Sequence, residues 1–411
     1  MSNQKILEGI KVVEMGTHVA VPYCSRELSD LGADVIKVEP LTGESYRGKM
    51  GMLFQLPFQE DYDVLFNAYN VDKKSLSLNL KDEDAKEALI KLLGTVDVFV
   101  TNTREEVLAR LGLSFESLQE KYPKLIIGNV SGYGTKGPDK DKRGYDASSF
   151  WSPSGMIQEW NFQDNDFAFK PFYGFGDAIA ASQLTSGILA ALYQRALTGK
   201  GDIVRVSLLA TGLWTNICGL LRYQDGQDFP RPYNQPIVPL DNFMKTKDGK
   251  QFLCSEENWP ARYKIWLKLM GREDLMDDPN WNSMKGYVNR ADIPNKVDML
   301  KECVANHTSE ELDEALKDSG AIYEYLNETD NIMENQQAWE NDIFAKVQMR
   351  NGKESIITNA PIRFASQPDP DGEHVTARKL GEDGDIILKE LGFSDEKIAE
   401  MVEKKSIIIK K

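Results

Sequence analysis

The residues best placed to do chemistry are Gly174-Phe175-Gly176-Asp177, which stand directly before a run of small and apolar side chains, Ala178 to Leu192. Two glycines permit a sharp turn. The run that follows predicts a helix, so Asp177 lies at or near its N-cap, facing unpaired backbone N–H groups and the positive end of the helix dipole. That placement favours the ionised carboxylate, the form a nucleophilic aspartate needs. It is equally the place of a plain helix cap. Few other reactive groups are available. The chain has three histidines, His18, His307 and His374, so acid–base chemistry by imidazole must use one of them. The four cysteines, Cys24, Cys218, Cys254 and Cys303, are far apart, with no C-x-x-C pair and no histidine at ligand spacing. A disulfide framework or a metal site is therefore not expected, and the thiols read as packing residues of a reduced, cytoplasmic protein.

The elements that must hold these residues alternate. Lys11–Met15, Asp34–Glu39, Ser75–Leu80, Val96–Val100 and Leu125–Val130 read as strands, and Val21–Leu31, Asp82–Leu93 and Glu105–Leu111 as helices. Strand, helix, strand at this spacing predicts parallel β-α-β units and a Rossmann-like, doubly wound α/β domain. The dinucleotide fingerprint is missing. After the first strand, Met15-Gly16-Thr17-His18-Val19-Ala20 holds one glycine where close approach of a pyrophosphate needs three, which disfavours a nicotinamide or flavin enzyme. Gly-, Asp- and aromatic-rich residues 131–160 form a long loop, the helix Asp177–Leu197 follows, and Asp202–Leu209 is a further strand. We expect a large domain over 1–222, a linker over 223–241 and a smaller mixed α/β domain over 242–334. A return linker over 335–379 and a terminal helix within 380–411 then rejoin the large domain. With 64 acidic against 49 basic side chains, the net charge of −15 argues against nucleic-acid or anionic-membrane partners. No apolar run approaches a membrane span.

A set of motifs in fixed order carries a resemblance. It comprises Leu7-Glu8-Gly9-Ile10-Lys11-Val12-Val13-Glu14, Leu31-Gly32-Ala33-Asp34-Val35-Ile36-Lys37-Val38-Glu39-Pro40, Gly43-Glu44-x-x-Arg47 and Asp72-Lys73-Lys74-Ser75. Asp97-Val98-Phe99-Val100-Thr101-Asn102, Arg110-Leu111-Gly112-Leu113, Gly144-Tyr145-Asp146, the Gly-x-Gly-Asp at 174–177 and Thr198-Gly199-Lys200-Gly201-Asp202 continue it. Over essentially its whole length the chain resembles the class III CoA-transferases, the family of formyl-CoA transferase and carnitine CoA-transferase. Glu120-Lys121-Tyr122-Pro123 and Gly271-Arg272-Glu273-Asp274-Leu275 are closer to the clostridial (R)-2-hydroxyacid (phenyllactate, 2-hydroxyisocaproate) members.

The resemblance implies an enzyme that moves CoA from an acyl-CoA to a free carboxylic acid, a 2-hydroxy acid of anaerobic amino-acid fermentation, through aspartyl anhydride and aspartyl-CoA thioester intermediates. It implies an interlocked homodimer and no permanently bound cofactor, CoA being a substrate. Asp177 matches the catalytic aspartate. Asn102 and Arg110 match CoA contacts, Arg143 and Tyr145 stand beside the phosphates, and His18 and Val19 lie on the loop that approaches the thioester. Pro40 replaces an arginine that packs on the adenine in some relatives. Ala178 stands where the nearest relatives often carry histidine, which predicts a roomier, more apolar acceptor site that takes bulky apolar acids and depends little on a 2-hydroxyl. Independently of the resemblance, Lys37, Lys73, Lys74, Arg104, Arg110 and Arg143 fall at or beside the strand ends and offer a local basic patch for a polyanion. The cluster Phe150, Trp151, Trp160, Phe162, Phe167, Phe169 and Phe172 reads as an acyl pocket or as core. Two other readings stay open: a 2-methylacyl-CoA racemase pairing His18 with an aspartate, and a non-catalytic nucleotide-binding protein in which Asp177 only caps.

Overall fold

The structure, a computed structural model, describes residues 5–48, 55, 58–59, 62–161, 171–227, 229–232, 235–327, 331–367 and 373–410. It divides into two compact units. The first comprises Met1–Met156, Lys170–Leu220 and Gln336–Lys411; the second comprises Ile157–Phe169 and Leu221–Asn335.

The first unit is built on a seven-stranded sheet. Its strands are β1 (Lys11–Met15), β2 (Asp34–Glu39), β5 (Lys74–Leu78), β6 (Val98–Thr101), β7 (Ile126–Ser131), β8 (Ile203–Ser207) and β15 (Ile407–Ile408). The spatial order is β15-β5-β2-β1-β6-β7-β8, parallel throughout except for β15, which pairs antiparallel with β5. Without that edge strand the order is the doubly wound 3-2-1-4-5-6, with its switch point between β1 and β6, where open α/β sheets bind ligands. Successive side chains of the central strands enter opposite cores, as a sheet covered on both faces requires. Val13, Phe99 and Ile127 pack with Leu89, Phe115 and Leu388 on one side. Val12, Val100 and Ile126 pack with Val21, Leu28, Leu184 and Ile188 on the other.

Helix α1 (Ala20–Asp30) follows β1. α2 (Val64–Asn70) precedes β5, and α3 (Glu83–Leu93) is capped by Asp82, whose carboxylate accepts from the N–H groups of Asp84 and Ala85. α4 (Glu105–Arg110) follows β6. The long helix α5 (Phe175–Thr198) runs between two left-handed glycines, Gly174 (φ +88°) and Gly199 (φ +73°). α5 is long and apolar enough by length and composition to cross a membrane, contrary to the sequence expectation. Its inner face, Ala181, Leu184 and Ile188, belongs to the core shared with α1 and the sheet.

Residues 335–379 were expected as a linker, yet they hold a β-hairpin. β12 (Phe344–Gln348) pairs antiparallel with β13 (Glu354–Thr358) across an Asn351-Gly352 turn, and β14 (Glu373–His374) pairs parallel with β12. His374 ties this segment to the turn after α2, with Nδ1 2.5 Å from Asp72 Oδ2 and Nε2 2.7 Å from Asn359 Oδ1. The C-terminal stretch carries two helices rather than one, Gly384–Glu390 and Asp395–Glu403. In the second unit a three-stranded antiparallel sheet, β11 (Ile322–Tyr325), β10 (Gln251–Ser255) and β9 (Met244–Lys245), packs on a core in which Trp259 stacks on Tyr287 at 3.9 Å.

Candidate active site

At the switch point the ends of β1, β6 and β7 and the start of α5 enclose a cleft of about 560 Å³. Asp177 lines it, and so do His18, Val19, Asn102, Arg143 and Tyr145. Six of the seven residues expected at the site therefore meet in one place. The seventh, Arg110, is not in the lining. It sits on the last turn of α4 with its side chain 73% exposed, 3.6 Å from Glu106.

Asp177 is the third residue of α5, not its cap. Capping falls to Asp146, on the π-helical turn Asp146–Trp151: its Oδ2 accepts the Gly174 N–H at 3.0 Å, and the N–H groups of Gly176 and Asp177 also turn towards it. Gly176 is required by this arrangement. A Cβ there would stand 2.3 Å from the Phe150 ring and 2.4 Å from Asp146 Oδ1. The expectation that the helix end holds Asp177 ionised is thereby corrected. Burial first, and the like charge of Asp146 second, push its carboxyl up to about 7. Burial raises Asp146 as well, against the three N–H groups that favour its anion. Near neutral pH the Asp177 carboxyl is therefore still partly protonated, and its anion is more basic than that of an exposed aspartate.

Two buried or half-buried side chains shape the loop after β1. Asn102 holds Thr17 from both sides, its Oδ1 accepting the Thr17 N–H at 3.2 Å and its Nδ2 donating to the Thr17 carbonyl at 2.9 Å. Glu44 Oε2 accepts the Thr17 hydroxyl (2.8 Å), the His18 N–H (3.2 Å) and the Tyr46 N–H (2.9 Å). These bonds secure His18 at φ +65°, a left-handed conformation uncommon outside glycine. The imidazole stands edge-on to Tyr46 and to Tyr145, with ring centroids 5.4 Å apart in each case. Burial depresses its pKa, only partly opposed by Glu44, so the ring is neutral at pH 7. Tyr46 stacks on Tyr69, and burial raises both phenols, Tyr69 to about 12. The Asp177 charge adds to the rise in each, which puts two protonated hydroxyls within electrostatic reach of it.

Arg104, Lys140, Lys142 and Arg143 line the outer part of the cleft. Arg104 pairs with Glu106 at 2.8 Å and Lys142 lies 3.7 Å from Asp139. Among the described residues, neither Lys140 nor Arg143 has a carboxylate partner. The expected basic patch is smaller than the sequence suggested. Lys37 and Lys73 are buried against Glu14, and Lys74 pairs with Asp34. Of the aromatic cluster, Phe150 and Trp151 are core residues beneath the start of α5, Phe172 is exposed, and Phe162, Phe167 and Phe169 lie outside the described residues. Trp160 is exposed and belongs to the second unit. Asp30, Asp72 and His374 are close enough together to suggest metal ligands, but Arg26 reaches both Asp30 (2.8 Å) and His374 (3.3 Å). Sequence reasoning assigned no role to Glu44, Asp146, Tyr46 or Tyr69. The first two stood in motifs already noted, Gly43-Glu44-x-x-Arg47 and Gly144-Tyr145-Asp146.

Comparison with known proteins gives a consistent answer. Residues 7–383 match the family model described as CoA-transferase family III. The chain is 34% identical to (R)-2-hydroxy-4-methylpentanoate CoA-transferase of Clostridioides difficile, covering 96% of this chain and 97% of that one. It is 29% identical to cinnamoyl-CoA:phenyllactate CoA-transferase of Clostridium sporogenes, covering 100% and 99%. Among solved structures, a CAIB/BAIF family protein from Brucella suis superposes with a TM-score of 0.78 at 26% identity, covering 94% and 100%.

Proposed function

The chain belongs to CoA-transferase family III and is an enzyme that transfers CoA, and from that premise we propose that its acceptor is a 2-hydroxy acid with a bulky apolar side chain and its nucleophile Asp177. One observation carries the assignment of the nucleophile: Asp177 lines the cleft at the sheet's switch point together with the loop after β1 and the cations Lys140 and Arg143. The ionised Asp177 attacks the donor thioester carbonyl, and CoA leaves as thiolate, giving a mixed anhydride. The thiolate attacks the aspartyl carbonyl, forming an aspartyl-CoA thioester and freeing the donor acid. The acceptor carboxylate attacks that thioester and the steps run in reverse, returning Asp177 as carboxylate and acceptor-CoA as product. Splitting one exchange between two anions into four carbonyl substitutions is the gain of covalent catalysis. The first N–H groups of α1, which have no side-chain cap, are suited to the oxyanions that form.

A homodimer is part of the same proposal. Tyr193, Leu197, Trp214 and Ile217 are large apolar side chains left exposed on α5 and on the helices that follow β8, Leu208–Thr215 and Ile217–Gln224. A second copy that covers them accords with the interlocked arrangement the resemblance implies. A cytoplasmic location suits four unpaired cysteines.

The direct test offers a panel of acyl-CoA donors with 2-hydroxy, branched and aromatic acids, read by mass. New acyl-CoA should form at the acceptor's mass, with the acceptor's α-hydrogen retained in deuterated water. Exchange of that hydrogen without CoA transfer would favour the racemase reading, which draws on His18 and Asp177 sharing the cleft. A second expectation concerns the phosphates. Arg143→Ala should raise the KM for acyl-CoA by about ten- to a hundredfold, the worth of a charge-assisted contact of roughly 1.5–3 kcal/mol. It should change little with pantetheine thioesters, which lack the nucleotide phosphates. Arg110→Ala, outside the cleft, should leave both within about twofold; a loss equal to that of Arg143→Ala would put the nucleotide over α4 instead.

A further inference from the structure

We propose that His18 is the specificity-determining residue that reads position 2 of the acceptor acid, its imidazole exchanging hydrogen bonds with a 2-hydroxyl while the acid's carboxylate faces Asp177. This rests on the CoA-transfer reading above. Four features of the ring support it. It lines the cleft that Asp177 lines. Among the described residues neither of its nitrogens has a hydrogen-bond partner, so its N–H and its lone pair are both available to a ligand that enters the cleft. Its direction is set: the backbone is held in the left-handed region by Glu44, and the ring packs T-shaped against Tyr46 and Tyr145. Because burial keeps the ring uncharged, it does not draw the acid's carboxylate away from the nucleophile.

The chemistry selects a hydroxyl. A neutral imidazole offers one N–H and one lone pair, and an alcohol is the group that can meet either. Ala178, which follows the nucleophile, brings no polar side-chain atom. His18 supplies an imidazole from the β1 side of the same site. A site built to hydrogen-bond a hydroxyl discriminates strongly against the analogue without it, because its own polar group is then left unpaired.

The test uses selectivity, so that any general loss of activity in a variant cancels. With one acyl-CoA donor, kcat/KM is measured for (R)-2-hydroxy-4-methylpentanoate and for 4-methylpentanoate in the native protein, in His18→Phe and in His18→Gln. Phenylalanine keeps the edge-on ring packing and removes both nitrogens; glutamine restores a donor and an acceptor. The native protein should prefer the hydroxy acid by tenfold or more. His18→Phe should bring the ratio to within about twofold of one, and His18→Gln should restore part of it. A ratio unchanged in His18→Phe overturns the assignment to His18 alone, and so does a native ratio near one. Absence of transfer to either acid, while other carboxylic acids are accepted, overturns the 2-hydroxy acid reading and this assignment with it. CoA binding measured on each variant separates a collapsed site from a changed preference.

Discussion

Asp177→Asn should abolish CoA transfer, by at least about a thousandfold in kcat, and at the same time make the protein more stable at pH 8. The first effect follows from the chemistry: an amide cannot form the anhydride, and the described part of the cleft brings no other carboxylate into the same position. The second follows from the titration. In the unfolded chain an aspartate ionises near 3.8, whereas burial and Asp146 push the folded group up to about 7. Folding therefore favours the protonated form. This stabilisation is fully present below about pH 4 and is lost as pH rises through about 7. At pH 8 the native protein carries a like-charge pair, with Asp146 buried and Asp177 half-buried, that the amide removes, a difference on the order of a few kcal/mol. Denaturant unfolding of the two proteins should diverge between pH 4 and 8 and coincide at pH 4. The native turnover should rise along the same limb, with an apparent pKa near 7. A variant no more stable than the native protein at pH 8 would mean that Asp177 ionises freely and that its strain has no part in its reactivity.

That coupling marks the limit of what the sequence alone can yield. Periodicity was enough for the sheet: Val12 and Val13, or Val98, Phe99 and Val100, read as doubly buried strands because they are runs of β-branched and aromatic residues between turn signals. The two glycines at 174 and 176 and the helix behind them pointed to Asp177, which lines the cleft. Its ionisation was misjudged because the group that takes up the helix N–H bonds, Asp146, comes from a separate turn, and no local pattern joins the two. Lys37 and Lys73 looked like cations at the sheet mouth for the same reason. A charge is visible in a sequence, but the buried carboxylate that meets it from another strand, here Glu14 of β1, is not. Arg110 was carried over from the resemblance, and position along a helix could not say which way its side chain leaves the sheet. The hairpin within 335–379 was legible and passed over. Asn351-Gly352 between two short β-rich runs is a turn signal, but its strands are five residues each and flanked by polar segments.

The largest structural penalty should come from Glu14. It is fully buried in β1, opposite Lys37 of β2, with Oε1 2.5 Å from the Lys37 ammonium and Oε2 2.8 Å from that of Lys73 and 2.7 Å from the Ser25 hydroxyl. Burial alone would raise its pKa; the two ammonium groups outweigh it and drive the carboxyl down to about 2. Lys73 also donates to the Pro22 carbonyl and to Asn70 Oδ1, so the cluster joins β1, α1 and α2 beneath the loop that carries His18. Glu14→Gln would leave the buried Lys73 ammonium without its carboxylate partner, and Lys37 with only the charges of Glu39 and Glu44. Breaking a buried pair in this way costs about 3–5 kcal/mol, a large share of what a folded domain has to lose. The loss should appear as a lower denaturation midpoint of the first unit at pH 7. The native contribution is present above about pH 4.5 and falls away as pH drops through about 2, so the two proteins should converge in acid. Removing both charges of one pair separates charge from packing. If the penalty is an uncompensated cation, Glu14→Gln combined with Lys73→Met should regain more than half of the lost stability. If the double variant is as unstable as the single one, the cluster holds the sheet to α1 through its hydrogen bonds to Ser25, Pro22 and Asn70, and the charges are incidental to it.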